Sequence, residues 1–214
     1  MTYFKDLTRY EYSRYGYECT GELWNVGWLD RTAPYPKGDV APDLTEKLLA
    51  RCKWPVNQFF GWHDCHFCGE CPVRIADPDR EFCLGDGEIH VARKDGKGIY
   101  FAPNLIYHYV VAHQYLPTGE FLDELRDITL AHPSVAIAIP WIEDFQHGLL
   151  PVGSLSNLLG WFSHRNKPPL PLAVRSAVLE AANELEIVDK TAGRDARQRA
   201  ESIVGRLNSV LTNG

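Results

Sequence analysis

Residues 61–74, GWHDCHFCGECPVR, hold two histidines and three cysteines within nine positions. Cys65 and Cys68 lie three positions apart, the spacing at which a tight turn points two thiolates at one metal ion. Thiolate and imidazole ligands together favour zinc over calcium or magnesium. The stretch therefore predicts half of a metal site, whose other ligands must come from elsewhere in the chain.

A second pair of candidate ligands, His108 and His113, lies on a helix that we predict after two strands. A Cys-x2-Cys knuckle, two strands and a helix with two histidines is the order of parts in a structural Cys2His2 zinc site. Residues five apart on an ideal helix are separated by about 140° around its axis. Both histidines can bind one ion only if the last turn loosens, for which Pro117 gives a reason. We predict that Cys65, Cys68, His108 and His113 hold Zn²⁺.

Other histidines and cysteines lie near these four residues, so the identity of the fourth ligand stays open. His63 stands two residues before Cys65 and shares a face with it in extended backbone. It is the alternative to one of the helix histidines, or a donor that orients a ligand. Cys71 could supply a third thiolate, while His66 is interpreted as a bystander. The cysteines without a near partner are interpreted as small buried apolar residues: Cys19, Cys52 and Cys83.

Strand signals surround the cysteine and histidine cluster. The aromatic density of 9–17 and 22–29 favours short strands in both ranges. In 87–101, GEIHVARKDGKGIYF, alternating apolar residues flank Asp95-Gly96, a dipeptide typical of a β-hairpin turn. We therefore predict an α+β fold in which a short antiparallel sheet and several helices surround a zinc knuckle.

Helix signals lie on both sides of the hairpin. The segment 41–55 carries Asp43 followed three residues later by Glu46, a pair typical of a helix start. The residues expected on the buried face of this helix are Leu44, Leu48, Leu49 and Cys52. Two further helices are expected in 103–115, starting at a proline, and in 118–128.

The sequence changes character near residue 131, beyond which cysteine is absent and aliphatic helical patterns take over. We therefore predict two parts, a zinc-binding α+β domain in 1–130 and a helical C-terminal region in 131–214. The prolines of 165–171, RNKPPLP, predict a rigid connector within the second part.

Three helices are expected in the C-terminal region, in 154–163, 171–188 and 194–212. Gly193 separates the last two, which suggests an antiparallel helical hairpin. The buried faces of these two helices are predicted to hold Val174, Val178, Leu185 and Val188, then Ile203, Val204, Leu207, Val210 and Leu211.

Composition narrows the classes of partner. The 214 residues carry a net charge of -6, and no dense Lys/Arg run is present, so we expect neither a nucleic-acid nor a membrane partner. The N-terminus lacks a secretory signal, and no apolar run reaches the roughly 18 residues of a membrane helix. We therefore expect a cytoplasmic protein, in which closely spaced cysteines are metal ligands in preference to disulfides.

The coordination of the ion distinguishes two functions. A zinc site with four protein ligands is structural, and one with three ligands and a water is catalytic. Because thiolate-rich sites are usually closed, we predict a binding or regulatory module whose partner is another protein and which can form homo-oligomers through its C-terminal helices. The alternative is a zinc hydrolase with an open coordination position and His63, Asp64 or Glu70 as base. Motifs of zinc deaminases and zinc proteases are absent.

Several motifs together resemble a family of small, uncharacterised bacterial proteins. They are Phe-x-Asp-Leu-Thr, Asn-Val-Gly-Trp-Leu, Gly-x-His-x-Cys-x2-Cys and His-Tyr-x3-His-x-Tyr, and the resemblance as a whole covers about residues 3–125. The matching positions of the last two motifs include Gly61, His63, Cys65, Cys68, His108 and His113. The resemblance implies a bacterial, cytosolic, metal-binding protein without an established activity, and it leaves Cys71 outside the shared pattern.

Overall fold

The computed structural model describes residues 2–11, 22–53, 55, 57–76, 81–128, 138–163, 172–191 and 195–213. The chain divides into two compact units. The first contains the described residues within 1–12, 22–93 and 98–130, and the second contains those within 94–97 and 131–214. The metal-site candidates all belong to the first unit.

The first unit is built around a four-stranded sheet, counted over the described part of the chain. The strands, in chain order, are β1 Glu22–Asn25, β2 Asn57–Gln58, β3 Val73–Ile75, β4 Phe82–Leu84, β5 Gly87–Ala92 and β6 Gly98–Pro103. The sheet has the order β1-β6-β5-β2, and β3 and β4 form a separate antiparallel pair. The predicted hairpin is confirmed as β5 and β6, which pair with His90 opposite Phe101. Strand β1 is shorter than the strand predicted in 22–29, and it is parallel to β6, while the strand predicted in 9–17 lies mostly outside the described residues.

Seven helices are described, and together with the short sheets they confirm the α+β fold with a helical C-terminal region. They are α1 Pro42–Lys53, α2 Ile106–His113, α3 Gly119–Arg126, α4 Ala138–Gln146, α5 Val152–Ser163, α6 Leu172–Thr191 and α7 Ala196–Asn213. Among these helices, none combines the length and the apolar character that crossing a membrane requires.

Two helix starts differ from the prediction. The first helix begins at Pro42, whose fixed φ suits a first turn, so Asp43 lies inside that turn and not before it. The second begins at Ile106, because Pro103 still belongs to β6. The predicted buried face of α1 is confirmed at Leu44, Leu48 and Cys52, whereas Leu49 is partly buried against the core.

Helices α1, α2 and α3 and the sheet share one hydrophobic core. Its buried members include Val26, Leu48, Ile89, Ile106, Tyr109, Phe121 and Leu125. Burial of each aliphatic or aromatic side chain of this size contributes about 1.5–3 kcal/mol to folding. The core also includes Cys65, so the side chain of one predicted metal ligand is part of the hydrophobic core.

The N-terminal segment is fixed to this unit by the partly buried carboxylate of Asp6. The backbone N–H of Gly27 donates to Oδ1 at 2.8 Å, and the hydroxyl of Tyr115 donates to Oδ2 at 2.6 Å. Burial raises the pKa of Asp6, although both hydrogen bonds act in the opposite direction. Tyr115 lies two residues after His113. The hydrogen bond to Asp6 therefore helps to fix the chain just after this candidate metal ligand.

Strand β5 carries a fully buried histidine, His90, whose ring lies 3.9 Å from the ring of Phe101. Burial, and to a lesser degree the charge of Arg51, lowers the pKa of His90 to about 3. The unfolded chain takes up this proton near the ordinary value of about 6.5, well before the folded chain does. The contribution of His90 to stability is therefore complete above pH 6.5 and is lost as the pH falls towards 3.

Between pH 7.5 and pH 5, this one group is expected to lower the free energy of unfolding of the first unit by about 2 kcal/mol. The variant His90→Gln, which carries no titratable ring, should show a correspondingly smaller loss in urea unfolding over the same pH range. The variant His147→Gln, which changes a partly exposed histidine of the second unit, is the control. An identical pH dependence in His90→Gln and in the parent protein would contradict the expectation.

The second unit packs its helices through aliphatic faces. The predicted buried residues of α6 are confirmed: Val174, Val178, Leu185 and Val188. Those of α7 are confirmed except for Val210, which is 38% exposed. Arg206 of α7 pairs with Glu184 of α6 at 2.5 Å, and Val210 of α7 borders the same groove as Ala177 of α6. A later residue of α7 is thus near an earlier residue of α6, so the two helices run antiparallel. The connector 165–171 and Gly193 lie outside the described residues.

Candidate metal centre

Four side chains from two elements converge in the first unit. Cys65 and Cys68 lie in the loop between β2 and β3, and His108 and His113 lie on α2. One ligand atom from each residue can be chosen so that all four lie within 4.8 Å of one another. The group could hold a metal ion, and in the described part of the chain it is the one group of this kind.

Three of the six distances between the four ligand atoms are close to those expected around a single central ion. The Cys65 Sγ to His113 Nε2 distance is 3.2 Å, the Cys68 Sγ to His108 Nε2 distance is 3.4 Å, and the two Nε2 atoms are 3.1 Å apart. A tetrahedron with bonds of about 2.3 Å to sulfur and about 2.0–2.1 Å to nitrogen has edges of about 3.3 to 3.8 Å. The observed edges are within a few tenths of an ångström of these values.

The end of α2 explains how two histidines five positions apart reach one point. His113 is the last residue of the helix, and Gln114 adopts the left-handed conformation with φ 55°. The backbone N–H groups of Gln114 and Tyr115 both donate to Tyr109 O, so these bonds span five and six residues where an ideal helix spans four. The last turn is therefore wider than an ideal turn, which brings His113 round towards His108.

Backbone hydrogen bonds shape the loop that carries the two cysteines. Gly69 donates its N–H to Cys65 O at 2.7 Å, and Cys65 donates its N–H to Glu70 O at 3.0 Å. Gly69 has φ +76°, a conformation that a residue with a side chain rarely adopts. The backbone N–H groups of Phe67 and Cys68 also donate to the Cys65 sulfur. These donors stabilise the thiolate, which is the form that binds a metal.

Burial acts differently on the thiol and on the two imidazoles. It raises the pKa of the Cys65 thiol, which must therefore release a proton when a metal binds. It lowers the pKa of His108, an effect increased by His113 and opposed by Glu70. It also lowers the pKa of His113. Both imidazoles are thus held in the neutral form that coordinates metals.

Aromatic rings hold His113 in place. The ring of Phe67 lies 5.1 Å from the ring of His113, 5.6 Å from that of Tyr109 and 5.1 Å from that of Tyr35. The Tyr35 hydroxyl donates to the backbone oxygen of His113 at 3.2 Å. The Cys-x2-Cys loop and the end of α2 are therefore packed against each other through Phe67, independently of any bound ion.

His66, interpreted from the sequence as a bystander, has a defined partner. Its Nδ1 lies 2.5 Å from Asp30 Oδ2. Asp30 also accepts hydrogen bonds from the side chain and backbone of Thr32, which with His66 lower the pKa of this carboxyl. The Asp-x-Thr turn was visible in the sequence as a local motif. Its contact with a histidine 36 residues later depends on the tertiary fold, so no local pattern predicted it.

The remaining candidates lie outside the four-residue group. His63 donates its backbone N–H to Gly85 O at 2.8 Å. Cys71 is exposed, with its sulfur 3.9 Å from Trp62 O. The other cysteines differ in their placement: Cys52 is buried as interpreted, Cys83 is partly buried, and Cys19 is outside the described residues. Asp64 and Glu70, the acidic candidates for a base, are both exposed.

The fold and this group define an α+β protein with a Cys2His2 arrangement that could hold a metal ion. Residues 2–126 match the family model described as Domain of unknown function (DUF7919), and the chain belongs to this family. The resemblance to an uncharacterised family is thereby confirmed. No curated protein and no solved structure matches the chain. The matched residues contain all four members of the group and end before the helices α4–α7.

Proposed function

We propose that this protein binds Zn²⁺ through Cys65, Cys68, His108 and His113 in a closed, structural site, and that the zinc-stabilised unit serves as a binding or regulatory module. The observation that carries the proposal is the set of three interatomic distances of 3.1 to 3.4 Å between sulfur and nitrogen ligand atoms. Two thiolates and two imidazoles at these separations match the preferred donors and size of tetrahedral zinc.

A structural role follows from the number of protein ligands. Four side chains complete a tetrahedral coordination shell, so a bound water has no position in it. The ion would link the Cys-x2-Cys loop to α2, since Cys65 and His113 are 48 residues apart. Such a link contributes folding free energy because the unfolded chain offers no preformed site. We therefore propose a module that acts by binding, not by hydrolysis.

A reducing compartment suits this site. The five described cysteines are free thiols, and two of them are the proposed ligands. In a reducing cytosol these thiols stay available for a metal instead of forming disulfides. We accordingly propose a cytoplasmic location. Because the proposed module acts by binding, we also propose that its partner is another protein.

Metal analysis combined with X-ray absorption spectroscopy tests the proposal. The purified protein should contain one zinc ion per chain, with two sulfur ligands at about 2.3 Å and two nitrogen ligands at about 2.0–2.1 Å. Cys71→Ser and His63→Gln, which change neighbours outside the group, should leave the stoichiometry and the spectrum unchanged. Three protein ligands with an exchangeable oxygen in the fourth position would instead support the zinc hydrolase.

A further inference from the structure

Two aromatic side chains project into solvent beside the metal-binding loop. Phe60 is fully exposed, at 110% of its reference area, and Trp62 is 52% exposed. Aromatic side chains of this size contribute most to stability when they are buried. At protein–protein interfaces, aromatic residues are among those that contribute most to the binding free energy. Their exposure on one short segment indicates a surface that becomes covered.

The segment that carries them is held at both ends. Phe59 donates its backbone N–H to Asp86 O at 2.7 Å, and His63 donates its backbone N–H to Gly85 O at 2.8 Å. The aromatic side chains are therefore presented from an anchored backbone and not from a free end. This segment therefore loses less conformational entropy when a partner binds than a flexible loop would.

The surroundings of the segment are acidic. No lysine or arginine occurs in 54–73, and Asp64 and Glu70 are both exposed there. A cleft of about 570 Å³ begins at Asp64, the residue that follows the segment, and its lining also includes Asp30, His66, Cys68 and the cationic Arg31. The charge of this surface favours a positively charged occupant.

We propose that Phe60, Trp62 and the acidic cleft form one docking surface for a Lys- and Arg-rich extended segment of a partner protein. Trp62 is two residues from Asp64, so their Cα atoms are at most about 7 Å apart. One basic side chain of an extended peptide can thus stack on the indole ring while a second, two residues further along, pairs with the carboxylate. The same carboxylates repel the phosphates of nucleic acids and of anionic lipids.

The docking surface deepens the proposed function, and it rests on that function in one respect. Cys65 and Cys68 both line the cleft, so the ion that they are proposed to bind would fix one of its walls. The aromatic segment itself is anchored through Asp86 and Gly85, which are not in the metal group. Zinc binding and peptide binding can therefore be measured, and can fail, separately.

The test uses synthetic fluorescent peptides of about 12 residues, a length that spans about 40 Å when extended. Their Lys/Arg, Glu and Leu contents are varied independently, and binding to the zinc-loaded protein is measured by fluorescence anisotropy. Basic peptides should bind, and acidic and neutral ones should not. In the double variant Phe60→Ser/Trp62→Ser the affinity should fall by about tenfold or more, and in Asp64→Asn by about threefold to tenfold.

Matched controls separate docking from general attraction to an acidic protein. Glu120→Gln removes the same charge as Asp64→Asn from an exposed site on α3, and Ile187→Ser removes a 57% exposed apolar side chain from α6. Neither should change peptide affinity.

Three results would overturn the proposal: basic-peptide binding that the double variant retains, aromatic-dependent binding to phosphatidylserine vesicles instead of peptides, and aromatic-dependent self-association in place of peptide binding. Zinc content is measured on every sample. A protein that lacks zinc but binds basic peptides through Phe60 and Trp62 would refute the zinc site and support the docking surface.

Discussion

Cys65→Ser is expected to lose most of its zinc affinity and, with it, the cooperative unfolding transition of the first unit. Cys65 is fully buried, and its sulfur is 3.2 Å from His113 Nε2, so the variant removes a ligand at the centre of the unit. Structural zinc contributes about 10–16 kcal/mol in zinc-finger peptides, as much as the entire stability of a typical domain, about 5–15 kcal/mol. Chelator treatment of the parent protein should have the same effect. Thermal unfolding followed by near-ultraviolet circular dichroism, with and without chelator, measures both.

The comparison with a second cysteine makes this result specific. Cys71 is an exposed thiol in the same loop but outside the metal group, so Cys71→Ser should keep both zinc and the melting transition. The helices of the second unit should retain their far-ultraviolet signal in all samples, because their cores contain none of the ligands. A parent protein whose melting curve is unchanged by chelator would refute the structural role of the ion.

Gly85→Ala is expected to destabilise the first unit by about 2–4 kcal/mol and to weaken zinc binding at the same time. Gly85 has φ +101°, which strains any residue with a side chain, and a Cβ there would lie 2.5 Å from the backbone oxygen of His63. Backbone atoms cannot move aside as a flexible side chain can. The loop backbone at His63, two residues before Cys65, would therefore shift, and one of the four ligands would shift with it. Urea unfolding at saturating zinc and competition with a chromophoric chelator give the two quantities.

Gly119→Ala is the control for this substitution. Gly119 begins α3, its φ is not in the left-handed region, and no described atom apart from its chain neighbours and its own helix backbone lies within 4 Å of the position that a Cβ would occupy. Its replacement should change stability by no more than about 0.5 kcal/mol. Equal effects of the two substitutions would mean that the contact between Gly85 and His63 is unimportant for the fold.

The parts of the fold that the sequence predicted depend on short-range patterns. The β5–β6 hairpin follows from Asp95-Gly96 between alternating apolar residues, and the buried face of α6 follows from helical periodicity. The grouping of Cys65 with Cys68 likewise comes from local spacing. In each case the interaction that determines the structure lies within a few residues of the pattern.

The parts that it did not predict depend on distant partners. The parallel pairing of β1 joins residues more than 70 positions apart, as Glu22 opposite Gly98 shows. The pair β3–β4 and the helix α4 are too short or too weakly patterned to be recognised alone. Val210 fits the apolar face of α7 by periodicity, yet it lies at the edge of the groove beside α6. The hydrogen bond between Asp30 and His66 has no sequence signal at all.

The hydrogen bonds of Asp6 have a consequence for biosynthesis. The segment that contains Asp6 is translated early, but its partner Tyr115 leaves the ribosome more than 100 residues later. Tyr10 also depends on a late partner, since its hydroxyl donates to Glu88, 78 residues further along the chain. The hydrogen bonds of Asp6 to Tyr115 and of Tyr10 to Glu88 therefore form only after most of the family domain has been made, and contacts of such long sequence separation form slowly. During translation, the backbone around Asp6 and Tyr10 can thus pair with residues 23–28 before these later side-chain partners exist.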